Sequence, residues 1–153
     1  MNSQKLQTQK KALDFMMGGN ATFTVRNRET GNRYTYHVKR ATDDDGSPKD
    51  ISFVRVMYGA DNENDYVYIG IIRHDQNKFT LTRKSRLSAN DKRVKGFDYV
   101  LRKLQKSQLP DIIEFWHEGR CGRCGRKLTR PDSIERGFGP YCVTVKAKST
   151  VNH

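Results

Sequence analysis

No run of 18 consecutive apolar residues occurs in this 153-residue chain, so no membrane-spanning helix is expected. The opening stretch, Met1 to Lys11, is polar and basic and lacks an apolar h-region. No secretory signal is expected there, and the protein is read as cytoplasmic. Cysteine is scarce as well, with three in the whole chain, all between positions 121 and 142. A secreted disulfide scaffold calls for an even count spread along the sequence, so this pattern argues against one. Catalytic signatures are missing too. There is no Gly-rich phosphate loop, no His-Glu-x-x-His and no nucleophile elbow. Glu118 directly follows His117 and no proline precedes the Cys-x-x-Cys, which removes the zinc-deaminase pattern. The chain is therefore read as no enzyme. Helix-turn-helix and three-base zinc-finger patterns are also lacking, as are internal repeats.

What the chain does have is positive charge, unevenly placed. Residues 1–77 carry 11 Lys and Arg against 10 Asp and Glu, while residues 78–153 carry 18 against 7. The second half thus holds almost all of the +12 excess, as a surface that meets a polyanion requires.

The hydrophobic pattern predicts an α+β protein. A short helix is expected over 4–17, with Leu6, Leu13, Met16 and Met17 apolar and Gly18-Gly19 ending it. Period-2 alternation around Phe23 and Val25, and again around Tyr34, Tyr36 and Val38, flanks a Gly31-containing turn and predicts a hairpin. The acidic stretch from Asp43 to Pro48 reads as a loop. Further strands are expected at 51–58, 66–73 and 78–83, with a Gly59–Asp65 turn between the first two. Short sequential strands with tight turns imply a small antiparallel meander. Val94, Phe97, Leu101 and Leu104 recur on one helical stripe, so a helix is expected from about Asn90 or Asp91 to Lys106, with Pro110 closing the segment. One or two helices should pack the sheet. A short strand at 111–116 then leads into a C-terminal metal module, giving a division into a sheet domain at 1–110 and a zinc-binding module at 111–153.

The metal reading starts from His117-Glu118-Gly119-Arg120-Cys121-Gly122-Arg123-Cys124-Gly125. A Cys-x-x-Cys-Gly turn lets two thiolates reach one ion while backbone amides point at the sulfurs. Cys142, after Gly137-Phe138-Gly139-Pro140, supplies a third thiolate. Tetrahedral structural zinc takes a fourth ligand, expected to be His117, with His153 as its rival; an open position would mark a catalytic ion. Free buried cysteines, a Cys121–Cys124 disulfide and a thioredoxin-like redox pair are the competing readings, the last of which belongs to a βαβ setting. A zinc-ribbon or treble-clef-like knuckle is expected instead. Asp132 or Ser133 is expected to cap a short turn of helix within it.

From Trp116 to Cys142 the sequence WHEGRCGRCGRKLTRPDSIERGFGPYC resembles a small zinc-binding domain of unknown function found in phage and bacterial proteins. The pattern Cys-x-x-Cys-Gly-Arg-x-Leu-Thr, then Pro-x-Ser-Ile, then Gly-x-Gly-Pro-x-Cys carries the likeness, through Cys121, Cys124, Arg126, Leu128, Pro131, Ser133, Gly137, Pro140 and Cys142 among others. The resemblance implies a zinc site and a mobile-element setting, so that the cytoplasm would be a host's; it implies no activity. Arg130 is basic where a small or acidic residue is expected from the resemblance.

Around these ligands stand Arg120, Arg123, Arg126, Lys127 and Arg130, preceded by Arg83-Lys84-Ser85-Arg86 and by the helix face of Lys92, Lys95, Tyr99, Arg102 and Lys106. Such density neutralises phosphates and releases counterions, and arginine adds bidentate geometry. Nucleic acid, DNA or RNA, is the expected partner, bound by shape and backbone. Trp116, Tyr99, Tyr141 and Phe138 are the rings available for stacking, with Trp116 and Phe138 expected to pack a mini-core and Tyr99 left as the better candidate. The acids Asp43–Asp45 and Asp61, Glu63 and Asp65 read as solvated turn residues rather than a cation site. The alternative reading is a protein-interaction module, such as a phage inhibitor that blocks a host defence nucleoprotein complex of the CRISPR or restriction kind.

Overall fold

A computed structural model describes residues 4–59, 65–140 and 142. The element order is α1 (Gln9–Met16), β1 (Asn20–Asn27), β2 (Arg33–Thr42), β3 (Pro48–Met57), β4 (Tyr66–Arg73), β5 (Lys78–Thr80), α2 (Lys92–Gln105), β6 (Ile113–His117) and α3 (Pro131–Arg136). The strands form one open antiparallel sheet in the order β5-β4-β3-β2-β1-β6. The meander expected from the alternating runs is present in β1 to β5. The sixth strand does not extend it at β5, because the chain crosses back through α2 and pairs β6 with β1, Phe23 facing His117 and Val25 facing Phe115. The sheet therefore runs across the expected boundary at 110/111.

Both longer helices lie on one face of the sheet. α2 buries Val94, Phe97, Val100, Leu101 and Leu104, the stripe that its periodicity announces. Phe97 meets Tyr36 and Phe79 at ring distances of 5.2 and 5.0 Å. Asp91 caps α2 by accepting from the Arg93 N–H, and its carboxylate also holds the Arg93 guanidinium at 2.8 Å. That hydrogen-bonded partner keeps the Asp91 carboxyl down at about 2. α1 is shorter than the expected 4–17, because Thr8 caps it and Leu6 lies before it, donating its backbone N–H to Phe115 on the free edge of β6. The residues that α1 buries are Ala12, Phe15 and Met16, so Phe15 replaces Leu13 as its main anchor.

One irregularity changes which side chains face outward. Val54 pairs with Gly70 and Arg55 with Tyr68, so Ile69 is the extra residue of a bulge, and it is fully buried. The alternation of β4 is reset there. No helix among the described residues is long and apolar enough to cross a membrane. His153, Tyr141, Asp61 and Glu63 lie outside the described residues.

Candidate metal site

After β6 the chain doubles back in a tight hairpin. Arg120 bridges Lys127, the Cys121 N–H donates to the Arg126 carbonyl, and the Gly125 N–H donates to the Cys121 carbonyl at 2.9 Å. Two glycines make this possible. Gly125 has φ +79°, where a side chain is strained, and a Cβ at Gly122 would lie 2.8 Å from the Phe15 ring. The segment then enters α3, with Pro131 at its first position and Arg130 as an N-cap that makes no side-chain capping bond. Asp132 stands inside the first turn, so neither it nor Ser133 is the cap expected from the sequence. Gly137 ends the helix in the left-handed region, and Cys142 follows in a helical turn.

This path brings the sulfurs of Cys121, Cys124 and Cys142 within 4.8 Å of one another. All three are free thiols, and no disulfide joins them. Tetrahedral zinc with Zn–S bonds of about 2.3 Å sets its sulfurs about 3.8 Å apart, so the three fit one ion with small adjustments. The surroundings suit thiolates. Backbone N–H groups of Arg123 and Gly139 each point at the Cys121 sulfur at 3.4 Å. Burial pushes the Cys121 thiol up, but these N–H groups outweigh it and hold the thiol below its ordinary value. Cys142 goes the other way, to about 11, because burial dominates the opposing Arg123 guanidinium 3.8 Å away and the neighbouring sulfurs add to it. Three thiolates cannot all ionise in one small space without a cation. Of the functional groups found here, it is this sulfur triad that most needs an ion.

His117 stands elsewhere. Its Nδ1 accepts from the Gly119 N–H at 2.9 Å, and its Nε2 donates to the Ile134 carbonyl. Both ring nitrogens are committed to backbone, the side chain is 1% exposed, and the ring lies 5.5 Å from that of Phe15. The imidazole expected as fourth ligand thus ties the end of β6 to α3. Burial holds its pKa below the usual value, so it remains neutral and keeps this donor–acceptor pattern. Among the described residues no His, Asp or Glu joins the three sulfurs.

The basic residues divide among separate places. Arg123, Arg126, Lys127 and Arg130 line a cavity of about 420 Å³ with the three cysteines and Ser133. Arg123 serves the sulfurs themselves, through both its N–H and its guanidinium. Arg120 donates to the Gly125 carbonyl and Arg130 pairs with Asp132 at 3.4 Å, whereas Arg126 and Lys127 are exposed. Arg83, Lys84 and Arg86 are exposed on a loop that flanks β4, where the Arg86 N–H donates to the Tyr68 carbonyl. Lys92, Lys95, Tyr99, Arg102 and Lys106 lie on the outer side of α2, Tyr99 with the Lys103 ammonium 5.7 Å from its ring and Arg102 paired with Asp98. Phe138 packs the core as expected, 5.8 Å from Phe15. Trp116 does not: it is half-buried on the opposite face of the sheet and donates to Glu114.

Residues 115–145 match the model of a family of unknown function, DUF6011. The DUF6011 match starts inside β6 and ends just past Cys142, so it takes in the whole sulfur triad together with α3. Neither a curated protein nor a solved structure matches the chain. Phe15, which forms the floor under this hairpin through Gly122, His117 and Phe138, was not singled out from the sequence. Its signal, an aromatic on a weakly amphipathic helix, looks like any core contact until the hairpin is placed on it.

Proposed function

We propose that this chain is a non-catalytic zinc protein in which the ion clamps the hairpin and Cys142 together and thereby fixes a cationic rim that contacts nucleic-acid phosphates. The observation that carries the reading is the sulfur triad, within 4.8 Å, opening on a cavity lined by Arg126, Lys127 and Arg130. Zinc is favoured over harder ions by the all-thiolate donor set. When bound, the ion supplies structural cross-linking, and its fourth position is filled from outside the described triad. The guanidinium of Arg123 then offsets part of the negative charge that three thiolates leave on a divalent ion.

Two measurements test this reading. Elemental analysis of the purified protein should give about one zinc per chain, and Cys124→Ser should lose it. Binding to nucleic acid should weaken steeply with salt, and Arg126→Glu combined with Lys127→Glu should lower the log–log salt slope by about 1 per lost phosphate contact. Arg123 is left intact in that variant because it serves the metal site. A protein that is fully folded and metal-free, or a charge-reversed variant with unchanged affinity at moderate salt, would sink the proposal.

A further inference from the structure

The two longer helices cover one face of the sheet, and among the described residues no element covers the other. On that open face the register sets side chains in rows. One row reads Thr22, His37, Arg55 and Tyr68 across β1 to β4, and the next reads Asn20, Lys39, Phe53 and Ile71. Rings lie in contact across the strands: Phe53 against Tyr68 and His37 against Tyr66, each at 6.4 Å and edge-on. Phe53 is 37% exposed, an apolar ring that folding alone would have turned inward. The bulge at Ile69 is what puts Tyr66 and Tyr68 on this side together with Ile71.

Across β2 to β5 the charge on the same face is one-sided. Lys39, Arg55, Arg73 and Lys78 are exposed and make no ion pair among the described residues. Arg73 and Lys78 stand directly opposite each other, a like-charge pair that costs stability in an isolated sheet and is relieved by a bound polyanion. The field is felt at His37, where burial and then the charges of Arg55 and Lys39 hold the ring neutral, with its pKa down at about 4. Acids stand at the β6 side: Glu114 is paired with Lys5 and Arg26 at 3.4 and 3.2 Å, and the exposed Glu118 accepts from the Thr24 hydroxyl at 2.8 Å. Beside that site lies a cavity of about 360 Å³, floored by Thr24, Thr35 and Met57, with Trp116, Arg33 and Glu118 in its lining. Trp116 is the chain's sole tryptophan.

We propose that this open face binds single-stranded nucleic acid, with unpaired bases stacking on Trp116, Phe53 and Tyr68 and phosphates held by Arg33, Lys39 and Arg55. A duplex hides its base faces, so only a single strand can use these rings, whereas the cations would serve either form. The face is continuous with the metal hairpin. Asn20 lies in the Lys39–Phe53 row, bonds His37 through Oδ1 at 2.6 Å, and donates its backbone N–H to the Gly122 carbonyl at 2.8 Å. A strand lying along the sheet therefore arrives at the rim of Arg126 and Lys127. This inference deepens the proposed function by naming the form of nucleic acid, and it rests on a separate set of residues.

The test uses the full chain with labelled oligo-dT and oligo-U of about twelve nucleotides and a duplex of equal length, read by fluorescence anisotropy. The single strands should bind at least about tenfold more tightly than the duplex and should quench Trp116 emission. Phe53→Ala with Arg55→Glu should cost about tenfold or more on single strands and much less on the duplex. Should the loss of Phe53 disturb the fold by circular dichroism, Lys39→Glu with Arg55→Glu, both exposed, replaces it and should raise the single-strand dissociation constant by a similar factor. Equal affinity for single strand and duplex overturns the inference. So does loss of binding in Arg126→Glu/Lys127→Glu with both face variants unaffected, which would leave the rim reading standing alone. No binding by the wild-type protein removes both. Concentration-dependent dimerisation that the face variants abolish, with oligonucleotide affinity unchanged, would make the face a contact between copies and also overturns it.

Discussion

The helix-backed sheet and the hairpin that carries the cysteines are held together by different means. In the sheet, Phe23, Tyr36, Val38, Val54, Val56, Ile72, Phe97 and Leu101 are all at most 1% exposed and pack against one another from five elements. The segment from Gly119 to Cys142 contributes Leu128, Phe138 and two buried sulfurs to the core, and little else that is fully buried and apolar. A unit of this size rarely closes on its own apolar surface. It takes stability from Phe15 of α1 and, on the proposed reading, from an ion held by its three sulfurs. The comparison teaches that the sheet can persist when the site is lost, while the site depends on the sheet.

The strongest way to break that comparison is Phe15→Ala. Phe15 is fully buried and touches Phe115 in the sheet and His117 and Phe138 beside the site, at ring distances of 6.3, 5.5 and 5.8 Å. Removing it should cost about 3–5 kcal/mol in denaturant unfolding and weaken metal affinity as well. Unchanged metal affinity in a destabilised variant would show that the hairpin stands independently of α1. A smaller effect comes from His117→Gln. Leaving the Gly119 N–H or the Ile134 carbonyl without its partner should cost about 1–3 kcal/mol while about one zinc per chain is retained. Loss of the ion without loss of stability would return the imidazole to the ligand set.

The smallest effect concerns the sheet's outer face and is read from pH. The folded pKa of His37, about 4, lies below its ordinary 6.5, so the unfolded chain binds the proton more tightly. Its contribution to stability is complete above about pH 6.5 and should be lost as pH falls towards 4. His37→Gln should flatten that part of the stability profile, measured by thermal unfolding at a series of pH values. An unchanged slope would mean that other groups carry it.

Much of the fold was legible because period and punctuation were clean. Alternation marked β1 to β4, and the Val94–Phe97–Leu101–Leu104 stripe marked α2 to within two residues of its ends. Cys121, Cys124 and Cys142 were legible as a cluster because their spacing admits one convergent geometry. His117, expected as a ligand, bonds backbone in this structure, and nearness in sequence says nothing about which way a ring turns at the end of a strand. Trp116, its neighbour, faces the other side of the sheet by the same two-residue period. The basic residues of α2 and of the hairpin both belong to the positive second half of the sequence, yet the fold sets them in different places.

By itself the sequence determined the strands up to β4, the long helix, the three sulfurs and the positive excess, all of which follow from local period and composition. Only the tertiary structure decided that β6 returns to β1, that His117 bonds backbone, that the bulge at Ile69 turns two tyrosines outward, and that none of the described helices covers one face of the sheet. Each of these depends on contacts between residues far apart in the chain, where burial and hydrogen-bond geometry choose among arrangements that local pattern leaves equal.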